Sequence, residues 1–182
     1  MSTMRFAIER FSVTSSKPFE AVVAALRAAV GRLDVVEFAK ASKEARTFSE
    51  PENLIHRHEG RTGLMLFMEL DLGVILRKET GLHQPKIVRF LIGNPLIMKE
   101  MAKHVPDVGS YAPLTVLVDE RPDGVHLSYD KMASFLAPYA NASALAVARG
   151  LGFKNREPAE RVCGLTSSLL PKGLQPGEKE KT

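Results

Sequence analysis

IVRFLIGNPLIMKEMAKHVPDVGSYAPLTVLVDERPDGVHLSYDKM, from Ile87 to Met132, is the stretch whose reading decides the fold. It opens on a run rich in β-branched and aromatic residues, Lys86 to Ile92, which reads as a strand. Gly93-Asn94-Pro95 follows at once. Asn94 is a good helix cap because its side chain can accept from a free N–H of the first turn, and Pro95 suits the first helical position. Met98, Met101, Ala102 and Val105 then recur at helical spacing until Pro106 stops the helix. Leu114 to Glu120 and Val125 to Asp130 read as strands joined by Arg121-Pro122-Asp123-Gly124. There proline presets a turn and glycine takes the left-handed position, so the pair is a hairpin.

Towards the N-terminus, Met4 to Thr14 alternates, with a change of phase at Arg10, and predicts a strand with a bulge. Ser15 or Ser16 would cap the next helix, whose apolar face is Phe19, Val22, Val23, Leu26 and Val30, ended by Gly31. Asp34 caps a second helix, Val35 to Arg46, with a thin apolar face of Val35, Phe38 and Ala39. A short helical piece leads from Ser49 to His56. The whole segment from about 33 to 63 is polar and reads as a helical insert outside the core. Leu64 to Leu70 is apolar on both faces and predicts a buried strand. Asp71 would cap a short helix with Leu72, Ile75 and Leu76 turned inward. Downstream, helices are predicted over 142–149 and 158–170, and the Pro/Gly-rich, charged stretch 171–182 reads as a disordered tail. The organisation is one α+β domain over 1–170 and that tail.

In its order of elements the chain resembles the family called domain of unknown function 302. The resemblance rests on the strand before Gly93-Asn94-Pro95, the helix Leu96 to His104, Ala112-Pro113, and the hairpin ending at Asp130. LDLGVILRKETG (Leu70 to Gly81) and PFEAVVAALRAAV (from Pro18) resemble the family's strand-to-helix segment and first helix, so it covers most of the chain outside 33–63 and the tail. It implies a TATA-binding-protein-like fold, a mainly antiparallel sheet with helices packed on one face, and a homodimer. It implies no activity. Gly93 and Leu114 stand where many members resemble Cys, so a thiol or metal role is closed to those positions.

Composition narrows the functional classes. Hydrophobic residues are 45% of 182, enough for a sizeable core. The single cysteine, Cys163, permits no internal disulfide, which fits a reducing compartment. Neither a membrane-length apolar run nor a secretion signal is present, so the expected location is the cytoplasm. The charge of +4 is modest, and bases alternate with acids. Without a basic stripe or tryptophan, and with three tyrosines, nucleic acid is not an expected partner.

Familiar catalytic sets fail on geometry. His126, Ser128 and Asp130 share one face of a strand, but neighbours there lie roughly 6.5–7 Å apart, beyond direct hydrogen bonding. They read as a polar face. His56 and His58 lack a third ligand, no zinc motif occurs, and no metal is expected. Gly93-Asn94-Pro95 lacks the further glycines of a phosphate loop, and no cofactor is indicated. Cys163 reads as a packing residue.

What remains is a small-molecule-binding or sensing module. Its apolar pocket would lie between helix Leu96–His104 and the sheet, lined by Met65, Phe67, Phe90, Met98 and Met101 and rimmed by His104, Tyr111 and His126. Methionines suit such a lining because they adapt to irregular shapes. One alternative is an acid–base enzyme in which Glu69, on a face shared with Met65 and Phe67, converges with His126 from another strand. The other is a structural or interaction protein, which predicts an exposed apolar patch.

Overall fold

The computed structural model describes residues 3–150. The helix predicted over 158–170, Cys163 and the tail therefore lie outside the described residues. Six strands form one open sheet among the described residues: β1 (Arg10–Ser15), β2 (Gly31–Arg32), β3 (Met65–Asp71), β4 (Ile87–Gly93), β5 (Leu114–Arg121) and β6 (Gly124–Asp130). Their order is β1-β6-β5-β4-β3-β2, and every pairing is antiparallel except β2 with β3. With the helices packed on it, this is the α+β architecture expected from the sequence.

The central hairpin forms as its turn chemistry dictates. Arg121 pairs with Gly124 across Pro122-Asp123, and Gly124 has φ +134°, a conformation that side chains disfavour. β1 is shorter than predicted and begins at Arg10, where the alternation changes phase.

One face of the sheet is covered by α1 (Phe19–Ala29). Its Phe19, Val22, Val23 and Leu26 pack on Leu66 of β3, Val88, Phe90 and Ile92 of β4, Val116 and Val118 of β5, and Leu127 of β6. Leu26, Phe90 and Leu127 are fully buried, and each such side chain contributes roughly 1.5–3 kcal/mol. No serine side chain caps α1. Pro18 stands at the cap position, and the Ser15 hydroxyl accepts from the Lys17 N–H instead.

At one end of the sheet, α5 (Pro95–Ala102), α6 (Met132–Leu136) and α7 (Ala142–Gly150) enclose a second core of Met101, Val105, Val108, Leu114, Met132 and Leu136. The polar segment after β2 forms α2 (Val35–Glu44) and α3 (Ser49–His58). As its composition predicts, α2 buries no residue, while α3 gives Ile55 to a small core with Leu33 and Met65. The segment is anchored where Gly31 and Gly60 touch backbone to backbone and both donate to the Leu64 carbonyl.

Two expectations for 64–82 are corrected. β3 is buried only over Met65 and Leu66; Met68 and Leu70 are exposed. The helix after it, α4 (Gly73–Thr80), turns Leu72, Ile75 and Leu76 to the surface. Asp71 pairs with Arg77, and this guanidinium holds its carboxyl below the usual range. Leu72, at the cap position, offers no capping side chain to α4, but the Gly73 and Val74 N–H groups of the first turn also lower the Asp71 carboxyl, as a capping acid would have it.

Candidate functional site

Asn94 organises the end of the sheet. Its Oδ1 accepts from the Leu96 N–H at 2.8 Å, the expected cap of α5. Its Nδ2 donates to the Gly63 carbonyl at 2.9 Å and to Glu59 Oε2 at 3.2 Å. One buried amide therefore ties α5 to the end of α3 and to the approach to β3.

Beside it lies a cavity of about 280 Å³. Phe67 of β3, Ile92 and Gly93 of β4 and Leu114 of β5 belong to its sheet side, and Pro95, Met98 and Met101 to its α5 side. Val35, Phe38 and Ala39 of α2 complete it. The thin apolar stripe of α2 is thus explained: it lines this cavity, and its Phe38 also packs against the small core of Leu33, Ile55 and Met65. Among the described residues Asn94 is the one lining residue with a polar side chain, and both ends of its amide are engaged.

Phe67, Met98 and Met101 are where the sequence reading places them. The other predicted residues are elsewhere. Met65 and Phe90 are fully buried in separate cores, because their strands are covered there on the face each occupies. His104 follows α5 and is exposed. Tyr111 stacks on Phe135 at 4.9 Å and hydrogen-bonds Tyr139 at 2.7 Å, forming part of a different depression. His126 sits near the hairpin turn, with Nε2 2.9 Å from Asp123 Oδ1 and Nδ1 3.4 Å from Thr14 Oγ1. That contact lowers the carboxyl of Asp123.

Glu69 and His126 do not converge. The β3–β4 register shifts between Leu66 and Met68, so Leu66 opposes Ile92 while Glu69 opposes Phe90. This bulge moves Glu69 off the face it would share with Met65 and onto the face of α1. There it receives Arg27 Nε at 3.0 Å in a two-point ion pair. His126 faces the other side of the sheet, since it pairs with Asp119 while Tyr129 pairs with Val116 in the row of Phe90 and Glu69. β3 and β6 are also three strand spacings apart, about 14 Å. His56 and His58 are likewise separate: one faces Glu59, the other the Leu54 carbonyl.

With the sheet order, the Asn94 clip and the cavity in view, comparison with known proteins is decisive for the family. Residues 38–152 match the family model described as Domain of unknown function DUF302. This chain belongs to the DUF302 family. The matched span starts inside α2 and runs through α3. An uncharacterized conserved DUF302 protein from Bacillus stearothermophilus, known from its crystal structure, is similar in fold, with a TM-score of 0.54 over 85% of this chain and 95% of that one. At 12% identity it speaks for the fold alone. No curated protein matches the chain. No helix among the described residues is long and apolar enough to cross a membrane.

Proposed function

We propose that this DUF302 chain is a binding module for a small, uncharged, apolar molecule held between α2, α5 and the end of the sheet. The observation that carries the reading is the chemistry of the cavity wall. Among the described residues its only polar side chain, Asn94, is already engaged at both ends, so nothing in that wall asks for a polar or charged ligand. At about 280 Å³ the space approaches the lower range of ligand pockets and exceeds the roughly 150 Å³ of an apolar cavity that takes up benzene.

N-phenyl-1-naphthylamine, an uncharged probe that brightens in apolar surroundings, tests this. Binding by the full chain is expected, with loss of the signal in Ala39→Phe. Ala39 is exposed on α2 at the cavity, so a ring there fills the space at little cost to the fold. Absence of binding, or binding unchanged by the substitution, refutes the reading.

A second reading rests on a different observation. Met68, Leu70, Leu72, Val74, Ile75, Leu76 and Leu82 are all exposed within one stretch of β3 and α4. Such a concentration of surface apolar groups suits association, and we propose that two copies pair through it as a homodimer.

A further inference from the structure

The face of the sheet opposite α1 carries a second depression, about 530 Å³ in volume and distinct in chemistry from the α2–α5 cavity. The strand register lays out its floor. Arg89, Leu117 and Ser128 oppose one another across β4 to β6, and Leu91 opposes Thr115 in the next row. Leu72 bounds it near α4, and Tyr111, Pro113 and Phe135 bound it at the other end.

One polar group in this floor lacks a partner. Arg89 Nη2 donates to Thr115 Oγ1 at 3.0 Å, but the buried Nε has no acceptor among the described residues. Nor does any carboxylate pair with this guanidinium among the described residues. Ser128, only 6% exposed, lies in the same row. The remaining charges of the depression, Arg10 and Asp130, neutralise each other through two contacts at 2.6 and 2.9 Å. A single uncompensated cation is left among leucines. An arginine fork so placed is matched by a planar anion, and a buried donor without an acceptor is costly.

We infer that the open face of the sheet is a second ligand site, which takes the carboxylate of a small amphipathic molecule on Arg89 and its apolar body over Leu91, Leu117 and Phe135. The monoanion is favoured over phosphate because, among the described residues of the depression, only one cation is free. A second negative charge would lie against aliphatic side chains with nothing to meet it. Ser128 offers a further donor along the same row.

The test is a titration of the isotope-labelled full chain with octanoate, followed by amide chemical shifts, with octanol as the uncharged match. Octanoate is expected to saturate one site with shifts centred on β4 to β6, and octanol to bind there at least tenfold more weakly. Arg89→Met, which keeps the stem and removes the charge, should weaken octanoate at least tenfold and leave N-phenyl-1-naphthylamine binding intact. Ala39→Phe should do the reverse, so failure of one site is distinguishable from failure of the other. Thr115→Asp, at an exposed position beside Nη2, supplies an internal carboxylate and should also abolish octanoate binding, which keeps the test open if Arg89→Met does not fold. The inference is overturned if octanoate does not saturate, if octanol binds as well, or if affinity survives either substitution. It is also overturned if Arg89→Met dissociates a dimer, since a second copy would then be the occupant.

Discussion

Replacing Gly31 with alanine tests whether the segment bearing α2 is seated by a backbone crossing. An ideal Cβ at Gly31 lies 1.7 Å from the His58 carbonyl oxygen and 2.6 Å from the Gly60 nitrogen. Both neighbours are main chain, so no rotamer can yield, and the strand must back away from the end of α3. That movement breaks the bonds from Gly31 N and Gly60 N to the Leu64 carbonyl, 2.8 and 3.0 Å long. It also loosens the Leu33 N–H bond to Leu66 and the packing of Leu33 and Ile55 on Met65. Two buried backbone bonds lost at roughly 1–3 kcal/mol each, with partial loss of a small core, give an expected destabilisation of about 3–5 kcal/mol.

Equilibrium unfolding in urea, followed by circular dichroism, reads this directly. For a slope of about 2 kcal/mol/M the midpoint falls by about 1.5–2.5 M with the slope unchanged. Gly109→Ala is the control: a Cβ there meets nothing within 4 Å, and the change should stay within about 0.5 kcal/mol. A Gly31→Ala chain within about 1 kcal/mol of the parent refutes the reasoning, because such a contact cannot be accommodated that cheaply.

Two further outcomes are expected. Asn94→Ala should lose about 2–4 kcal/mol by the same measurement, from the lost cap and from the Gly63 carbonyl left without its donor. Asn94→Asp keeps the cap oxygen but sets a carboxylate against Glu59, so a variant as stable as the parent would contradict the three-way role. Ile75→Glu, at a position 72% exposed, should keep the parent's folded circular-dichroism spectrum and shift sedimentation from dimer to monomer. A parent chain that sediments as a monomer at high concentration refutes pairing through α4.

The parts of this fold legible in the sequence are those set by contacts a few residues long. Asn94-Pro95 caps a helix and Pro122-Asp123-Gly124 turns a hairpin whatever surrounds them, and both stand as read. α1 was legible because its apolar stripe is wide enough to demand a sheet. Leu72, Ile75 and Leu76 carry a similar spacing on α4, yet they are exposed, since periodicity marks an apolar face and not what covers it. Arg89 gave no signal as a site residue. In sequence it is a polar residue in an apolar strand, and only the register, which sets it between Leu70 and Leu117 with no carboxylate paired to it among the described residues, makes it notable.

The bulge in β3 links the candidate sites to one another. A regular β3 would keep Glu69 on the side of Met65, among the apolar groups that approach α5. The shift between Leu66 and Met68 instead delivers Glu69 to Arg27 on the α1 side, and it leaves Phe67 at the cavity. Gly93 of β4, which pairs with Met65, borders the same space. A Cβ on Gly93 would lie 3.2 Å from Pro113 Cβ and 3.6 Å from Phe67 Cε2, within the space those two side chains border. The same Pro113, with Ala112 and Leu114, separates the apolar cavity from the depression around Arg89 and belongs to both linings. An extra residue in one strand and an absent side chain in the next thus keep a carboxylate out of the first site and the space within it open. The cation that defines the second lies beyond the strip Ala112-Pro113-Leu114, on the open face of the sheet.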